Sequence, residues 1–216
     1  MKNVSIKICG LTQEKDILTS VDLGAEFIGF VLEKSSKRYV SIRKLKELLE
    51  KTPSSIKTVA LLVNPENSLL EELFAQVKVD FIQLHGEETP KRVSEIYENN
   101  KIPIIKAIGI KRKKDLEVIK DYENMVNFIL LDAKPENKKS LRGGNGIFFD
   151  WRLLRGFHLK TPWFLAGGLN ANNVGTAISI SGASMVDVSS GVEIEPGKKC
   201  VDKISNFIRK VNEQNK

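Results

Sequence analysis

The chain is poor in the residues that staple or metallate small proteins. Two cysteines, Cys9 and Cys200, and two histidines, His85 and His158, are all that 216 residues contain. That supply excludes a disulfide framework and a multi-cysteine zinc site, and His85 and His158 lack metal-ligand spacing. A reducing, cytoplasmic setting is expected. Long apolar runs are missing too. Nothing approaches the roughly 18 to 20 residues that span a bilayer, and the opening "MKNVSIKICG" has no apolar core of signal-peptide length. No membrane partner is expected. Low-complexity linkers are also absent, so the 216 residues read as one domain, 1–216.

Concentrated charge of one sign is lacking as well. Lys and Arg number 34 against 27 Asp and Glu, a net +7, but the excess is dispersed. Its densest run, "KRKK" at 111–114, precedes "DLEVIKDY" and reads as the solvated start of a helix. Nucleic-acid surfaces cluster basic and aromatic side chains, so no nucleic-acid partner is expected. A mild positive excess suits small anionic substrates.

What the chain does have is alternation. Eight short β-rich runs recur: 4–8 "VSIKI", 27–32 "FIGFVL", 57–63 "KTVALLV", 80–85 "DFIQLH", 102–108 "IPIIKAI", 126–132 "VNFILLD", 162–166 "PWFLA" and 185–189 "MVDVS". Several are apolar at nearly every position, as strands covered on both faces are. Amphipathic stretches lie between them. Asn64 and Pro65 offer a cap and a first helical position ahead of Leu69, Leu70, Leu73, Phe74 and Val77, and Thr89 and Pro90 repeat the device ahead of Val93, Ile96 and Tyr97. Ile204, Phe207, Ile208 and Val211 make the stripe of a last helix. Repeats of about 20 to 30 residues are the length of βα units, and eight of them predict an α/β fold, a closed (β/α)8 TIM barrel. An open doubly wound sheet is the alternative, but no GxGxxG follows the first run.

In such a barrel the chemistry sits just beyond the strand ends. There the sequence places Cys9, Arg38, Asn64, His85, Asp132, Gly167 with Gly168, and Ser189 with Ser190. Cys9 is either a buried small hydrophobe or a reagent; a helix beginning near Thr12 would aim its positive end at the sulfur and lower the thiol from about 8.5. Asp132 ends an apolar strand, where desolvation raises a carboxyl from about 3.9 and makes a general acid, with Lys134 opposing; a loop cap is the plain alternative. Arg38 is either a two-point carboxylate clamp or a solvated loop residue. "RGGNG", "AGGLN" and "SSGVE" supply unshielded backbone N–H groups after strands six, seven and eight, where barrels bind phosphate. The irregular stretch 133–146 is long enough to be an active-site loop.

"KICGLT", "GFVLEKSSKRYV", "IQLHGEE", "LLDAK", "GGNGIFFDW", "FLAGGLNANNV" and "VDVSSGVEIEPGKK", in this order from about residue 6 to 200, resemble the phosphoribosylanthranilate isomerases of tryptophan biosynthesis. The resemblance implies a (β/α)8 barrel acting on a small phosphosugar by a cofactor-free Amadori rearrangement, with neither metal nor pyridoxal. It makes Cys9 the general base and Asp132 the general acid. Arg38 would meet the anthranilate carboxylate. Gly144, Gly167, Gly168, Ser189, Ser190 and Gly191 would bind phosphate, with Gln83, His85 and Asp187 as lesser substrate contacts. Monomer and homodimer both stay open. Asn145 departs from the usual Thr or Ser of GGxG, and Cys200 stands where the pattern has Asp. A related isomerase that also takes the histidine-pathway substrate uses paired aspartates on a two-fold repeated barrel; here a Cys stands in the first place and no half-chain repeat is visible.

Overall fold

A strand that is apolar on both faces needs a cover on each side, and closing the sheet on itself supplies one of them. The computed structural model describes residues 3–134 and 148–215. Its strands are β1 (Ser5–Cys9), β2 (Phe27–Val31), β3 (Lys57–Leu62), β4 (Phe81–Leu84), β5 (Ile104–Ile110), β6 (Phe128–Ala133), β7 (Trp163–Leu165) and β8 (Met185–Val188). They form a closed parallel barrel in chain order, and β8 returns to pair with β1. The open-sheet alternative is thereby removed.

Helices α1 (Glu14–Asp22), α2 (Ile42–Leu49), α3 (Asn67–Gln76), α4 (Pro90–Asn100), α5 (Val174–Ser181) and α6 (Val201–Asn212) cover the outside. The run expected to open a helix at "KRKK" becomes a 3-10 segment, Lys113–Asp121, and a second one, Trp151–Leu154, precedes β7. A 3-10 turn, Ser190–Val192, and a hairpin of β9 (Glu193–Glu195) and β10 (Lys198–Lys199) separate β8 from α6. That hairpin was not expected from the glycine-rich motif. Among the described residues no helix is long and apolar enough to cross a membrane.

Local signals worked unevenly. Thr89 caps α4 by accepting from the Arg92 N–H at 3.2 Å, with Pro90 first in the helix. Asn64, by contrast, does not cap α3; Glu66 holds that place. Asn64 sits at φ 46°, accepts from the Glu87 N–H and donates its own N–H to Glu88, each at 2.7 Å, so its amide ties the end of β3 to the loop after β4. Tyr97, expected inside, is exposed, because Val93 and Ile96 complete the buried stripe of α4. In α6 all four expected stripe residues are buried.

Two cores result. Ile6, Ile8, Ile28, Leu62 and Ile82 point outward from the barrel to meet the helices. Alternate residues point inward, and at the amino-terminal end they are aromatic: Phe27, Phe81, Phe128 and Phe164 pack with ring centroids 5.3–5.9 Å apart in edge and tilted contacts. This plug closes the barrel floor and leaves polar side chains to the other end. Phe164 is fully buried. Phe164→Ala is expected to cost about 3–5 kcal/mol in urea unfolding; a loss under about 1 kcal/mol would mean that the floor does not depend on the plug.

Candidate active site

Inward alternation sets out the site strand by strand. On β1 it carries Lys7 and then Cys9, on β6 Leu130 and then Asp132, on β8 Asp187 and then Ser189, and on β4 Gln83 and then, one residue past the strand, His85. Cys9, His85, Asp132 and Ser189 form the upper layer at the carboxyl ends. Lys7, Gln83 and Asp187 lie one layer below.

Cys9 is buried against Val31 and Leu61. Its strand neighbour in the β1–β2 pairing is Gly29, and a methyl at Gly29 would lie 2.7 Å from Cys9 Sγ and 3.3 Å from Lys7 Nζ. The missing side chain makes the space that sulfur and ammonium share. Burial pushes the thiol up; Lys7 and Lys199 pull it down and Asp187 pushes it up, and the thiol stays above its ordinary value. The expected lowering by a helix end does not occur: α1 starts at Glu14 after an uncapped Gln13, and desolvation outweighs the cations.

Asp132 is held from two sides. Its Oδ1 accepts from the Ala133 N–H at 2.8 Å and its Oδ2 lies 3.2 Å from His85 Nε2. Gln83 Nε2 meets His85 Nδ1 at 2.8 Å. The Gln83 amide and the Asp132 carboxyl thus hold the two ring nitrogens of His85 from opposite sides. Lys106 fixes the backbone on either side of His85, donating to the Leu84 and Gly86 carbonyls at 3.2 and 3.0 Å and to Glu88 at 2.9 Å. Lys134, expected beside Asp132, pairs instead with Asp115 at 3.5 Å. Gln83 is fully buried, with its amide against His85.

Arg38 arrives from the loop after β2, and Gly10 makes way for it. Gly10 has φ +77°, and a side chain there would meet Arg38 Cδ at 2.5 Å. Arg38 does present a two-point edge, but to this chain's own Glu193: Nε and Nη2 donate to the two carboxylate oxygens at 2.8 and 2.7 Å. Only Nη1 stands outside that pair. Lys199 also donates to Glu193 at 2.7 Å, and to Ser189 O and Oγ at 3.0 and 3.2 Å. Burial alone would raise the Glu193 carboxyl; the Arg38 fork and Lys199 outweigh it and hold it below its ordinary value. Asp187 in turn accepts from Lys7 at 2.7 Å.

The glycine-rich ends of β7 and β8 come together. Gly191 packs so closely on the Leu169 carbonyl that no side chain fits, and Asn173 donates to Gly168 O at 3.0 Å, fixing the turn after β7. Among the described residues the N–H groups of Gly167, Gly168, Ser190 and Gly191 find no protein acceptor. Gly144, Asn145 and most of the loop 133–146 lie outside the described residues. The sequence reading missed Lys7, Glu193 and Lys199. Period-two alternation on β1 would have put Lys7 on the face of Cys9; nothing local signals Glu193 or Lys199, which the hairpin brings in.

Glu193 neutralises two buried cations, so Glu193→Gln is expected to cost about 3–5 kcal/mol at neutral pH. A lowered carboxyl stabilises above the ordinary value of 4.5 and loses that contribution as pH falls through the lower, folded value. Urea midpoints of the parent and Glu193→Gln should therefore converge in acid; a pH-independent gap would contradict this.

The family model described as N-(5'phosphoribosyl)anthranilate (PRA) isomerase matches residues 6–210. An N-(5'-phosphoribosyl)anthranilate isomerase of Paracoccus denitrificans is 45% identical over 95% of either chain. The phosphoribosyl anthranilate isomerase of Thermotoga maritima superposes with a TM-score of 0.86 at 37% identity, covering 97% of this chain and 99% of that one. A solved phosphoribosyl anthranilate isomerase in complex with reduced 1-(o-carboxyphenylamino)-1-deoxyribulose 5-phosphate gives 0.83 at 36% identity with the same coverage. Matched over nearly its whole length, the chain belongs to the N-(5'-phosphoribosyl)anthranilate isomerase family.

Proposed function

We propose that this isomerase of tryptophan biosynthesis converts N-(5'-phosphoribosyl)anthranilate to 1-(2-carboxyphenylamino)-1-deoxyribulose 5-phosphate with Cys9 as general base and Asp132 as general acid. The observation that carries the assignment is positional. A thiol and a carboxylic acid, both at the carboxyl ends of inward faces, stand on β1 and β6 with β7 and β8 between them along one side of the mouth.

Asp132 gives a proton to the ribose ring oxygen as the bond from C1 to that oxygen breaks, and the anilinic nitrogen supplies the electron pair that makes the cationic Schiff base. That cation acidifies the C2 proton, which Cys9 removes as a thiolate, leaving an enolamine. Protonation at C1 and loss of the C2 hydroxyl proton then give the ketone. The substrate carries its own electron sink. His85, with Nε2 at 3.2 Å from Asp132 Oδ2, fixes that carboxyl's orientation. The free N–H groups of Gly167, Gly168, Ser190 and Gly191 form the phosphate cradle. With one edge of Arg38 taken by Glu193, the anthranilate carboxylate meets the arginine through Nη1.

Cys9→Ser and Asp132→Asn are each expected to lower kcat by at least about 10² with the fold intact, followed by loss of substrate fluorescence in single turnovers. An unimpaired Cys9→Ala enzyme would falsify the base assignment. Because the thiol lies above its ordinary value in the free enzyme, kcat/KM should still be rising at about pH 8.5. A profile flat from neutral pH upward would exclude thiolate as the reacting form.

A further inference from the structure

Lys7 is a buried cation for which the reaction as written has no use. It is fully excluded from solvent in the layer below Cys9. An ammonium has three N–H donors; Lys7 donates to Asp187 Oδ1 at 2.7 Å, and Cys9 is a second side-chain hydrogen-bond partner. The ammonium is next to the Gly29 space, where Cys9 Sγ also sits. Buried charges are kept only where they are paired or hydrogen-bonded, and the sulfur is the polarisable acceptor on the open side of this one.

The other groups around Cys9 do not do the same work. From β2 and β3 it meets Gly29, Val31 and Leu61, which carry no charge. Asp187, on β8, repels a thiolate. Lys199, on β10, attracts one, but it is bound to Glu193 at 2.7 Å and to both oxygens of Ser189, and Glu193 is shared with Arg38. Lys7 is thus the cation that shares the Gly29 space with the sulfur and hydrogen-bonds to it. A desolvated thiol that must ionise to take a proton needs such a partner.

We propose that Lys7, kept charged by Asp187, is a positioning residue that holds Cys9 as a thiolate when it takes the substrate's C2 proton. The proposal rests on Cys9 being the base and deepens that reading. Asp187 then acts through Lys7 rather than by touching substrate. The ammonium stays protonated throughout, and the transferred proton goes to sulfur. Gly29 belongs to the same device, since any side chain there would part sulfur from nitrogen.

The test reads the thiolate without turnover. In a Cys200→Ser background, where Cys9 is the one thiol, its ultraviolet thiolate absorbance is titrated in the folded protein. Lys7→Met should move the midpoint upward by at least about one pH unit, a tenfold loss of thiolate at a given pH. The alkaline limb of kcat/KM should move with it, and kcat at neutral pH should fall about tenfold or more with KM little changed. Lys7→Met leaves Asp187 buried and unpaired, so Lys7→Met with Asp187→Leu is measured alongside. Replacing a buried ion pair by apolar residues usually preserves the fold, and the midpoint should still rise, because Lys7 acts on the sulfur more strongly than Asp187 does. A midpoint unmoved in the folded variants overturns the proposal. Full activity of Cys9→Ser would instead overturn the base assignment, whatever the titration gives.

Discussion

The pairing of β8 with β1 is the contact on which the rest of the structure depends. Five residues of β1 are held between two parallel neighbours, and the register sets Lys7 opposite Asp187 on one side and Cys9 opposite Gly29 on the other. Because side chains alternate with a period of two, a slip of one residue would turn Lys7 and Cys9 out toward the helices and bring Ile6 and Ile8 inside. The buried ion pair at 2.7 Å opposes that slip, because parting its charges would leave one buried without a partner. Closure and chemistry are thus fixed by the same register.

The barrel divides its interior by height. The phenylalanine plug fills the floor with rings that need no hydrogen bonds, so burial there is favourable without polar partners. Above it the interior changes character within one or two residues of each strand. Lys7 with Asp187, and Lys199 with Glu193 and Arg38, compensate one another inside a low-dielectric mouth. The apolar floor contributes the stability, and the paired charges make it possible for a thiol and a carboxylic acid to stand at the rim in different surroundings.

Those surroundings differ for the two groups. Cys9 lies among charges of both signs beside fully apolar neighbours, while Asp132 lies across the mouth with one oxygen on a backbone N–H and the other on His85. Lys106 anchors the carbonyls before and after His85, so the imidazole is presented by a braced loop rather than a free one. The glycine-rich ends of β7 and β8 are braced too, by Gly191 on Leu169 and Asn173 on Gly168.

The sequence by itself determined the number and order of strands, because a two-sided apolar run has few ways to be satisfied, and with them the positions of Cys9 and Asp132 at strand ends. It also determined the stripe of α6 and the cap of α4, which are local devices. Only the tertiary structure decided what each polar group meets. Arg38 is engaged by Glu193, a partner that no pattern near it names; Asn64 read as a helix cap and braces a loop; Gln83 meets His85 across two residues of one strand end. Burial of the thiol, which reverses the expected lowering, depends on residues from β2, β3 and β8 that no stretch near Cys9 encodes. Periodicity is a property of neighbours in the chain, whereas the partner and the dielectric around a charge are properties of neighbours in space.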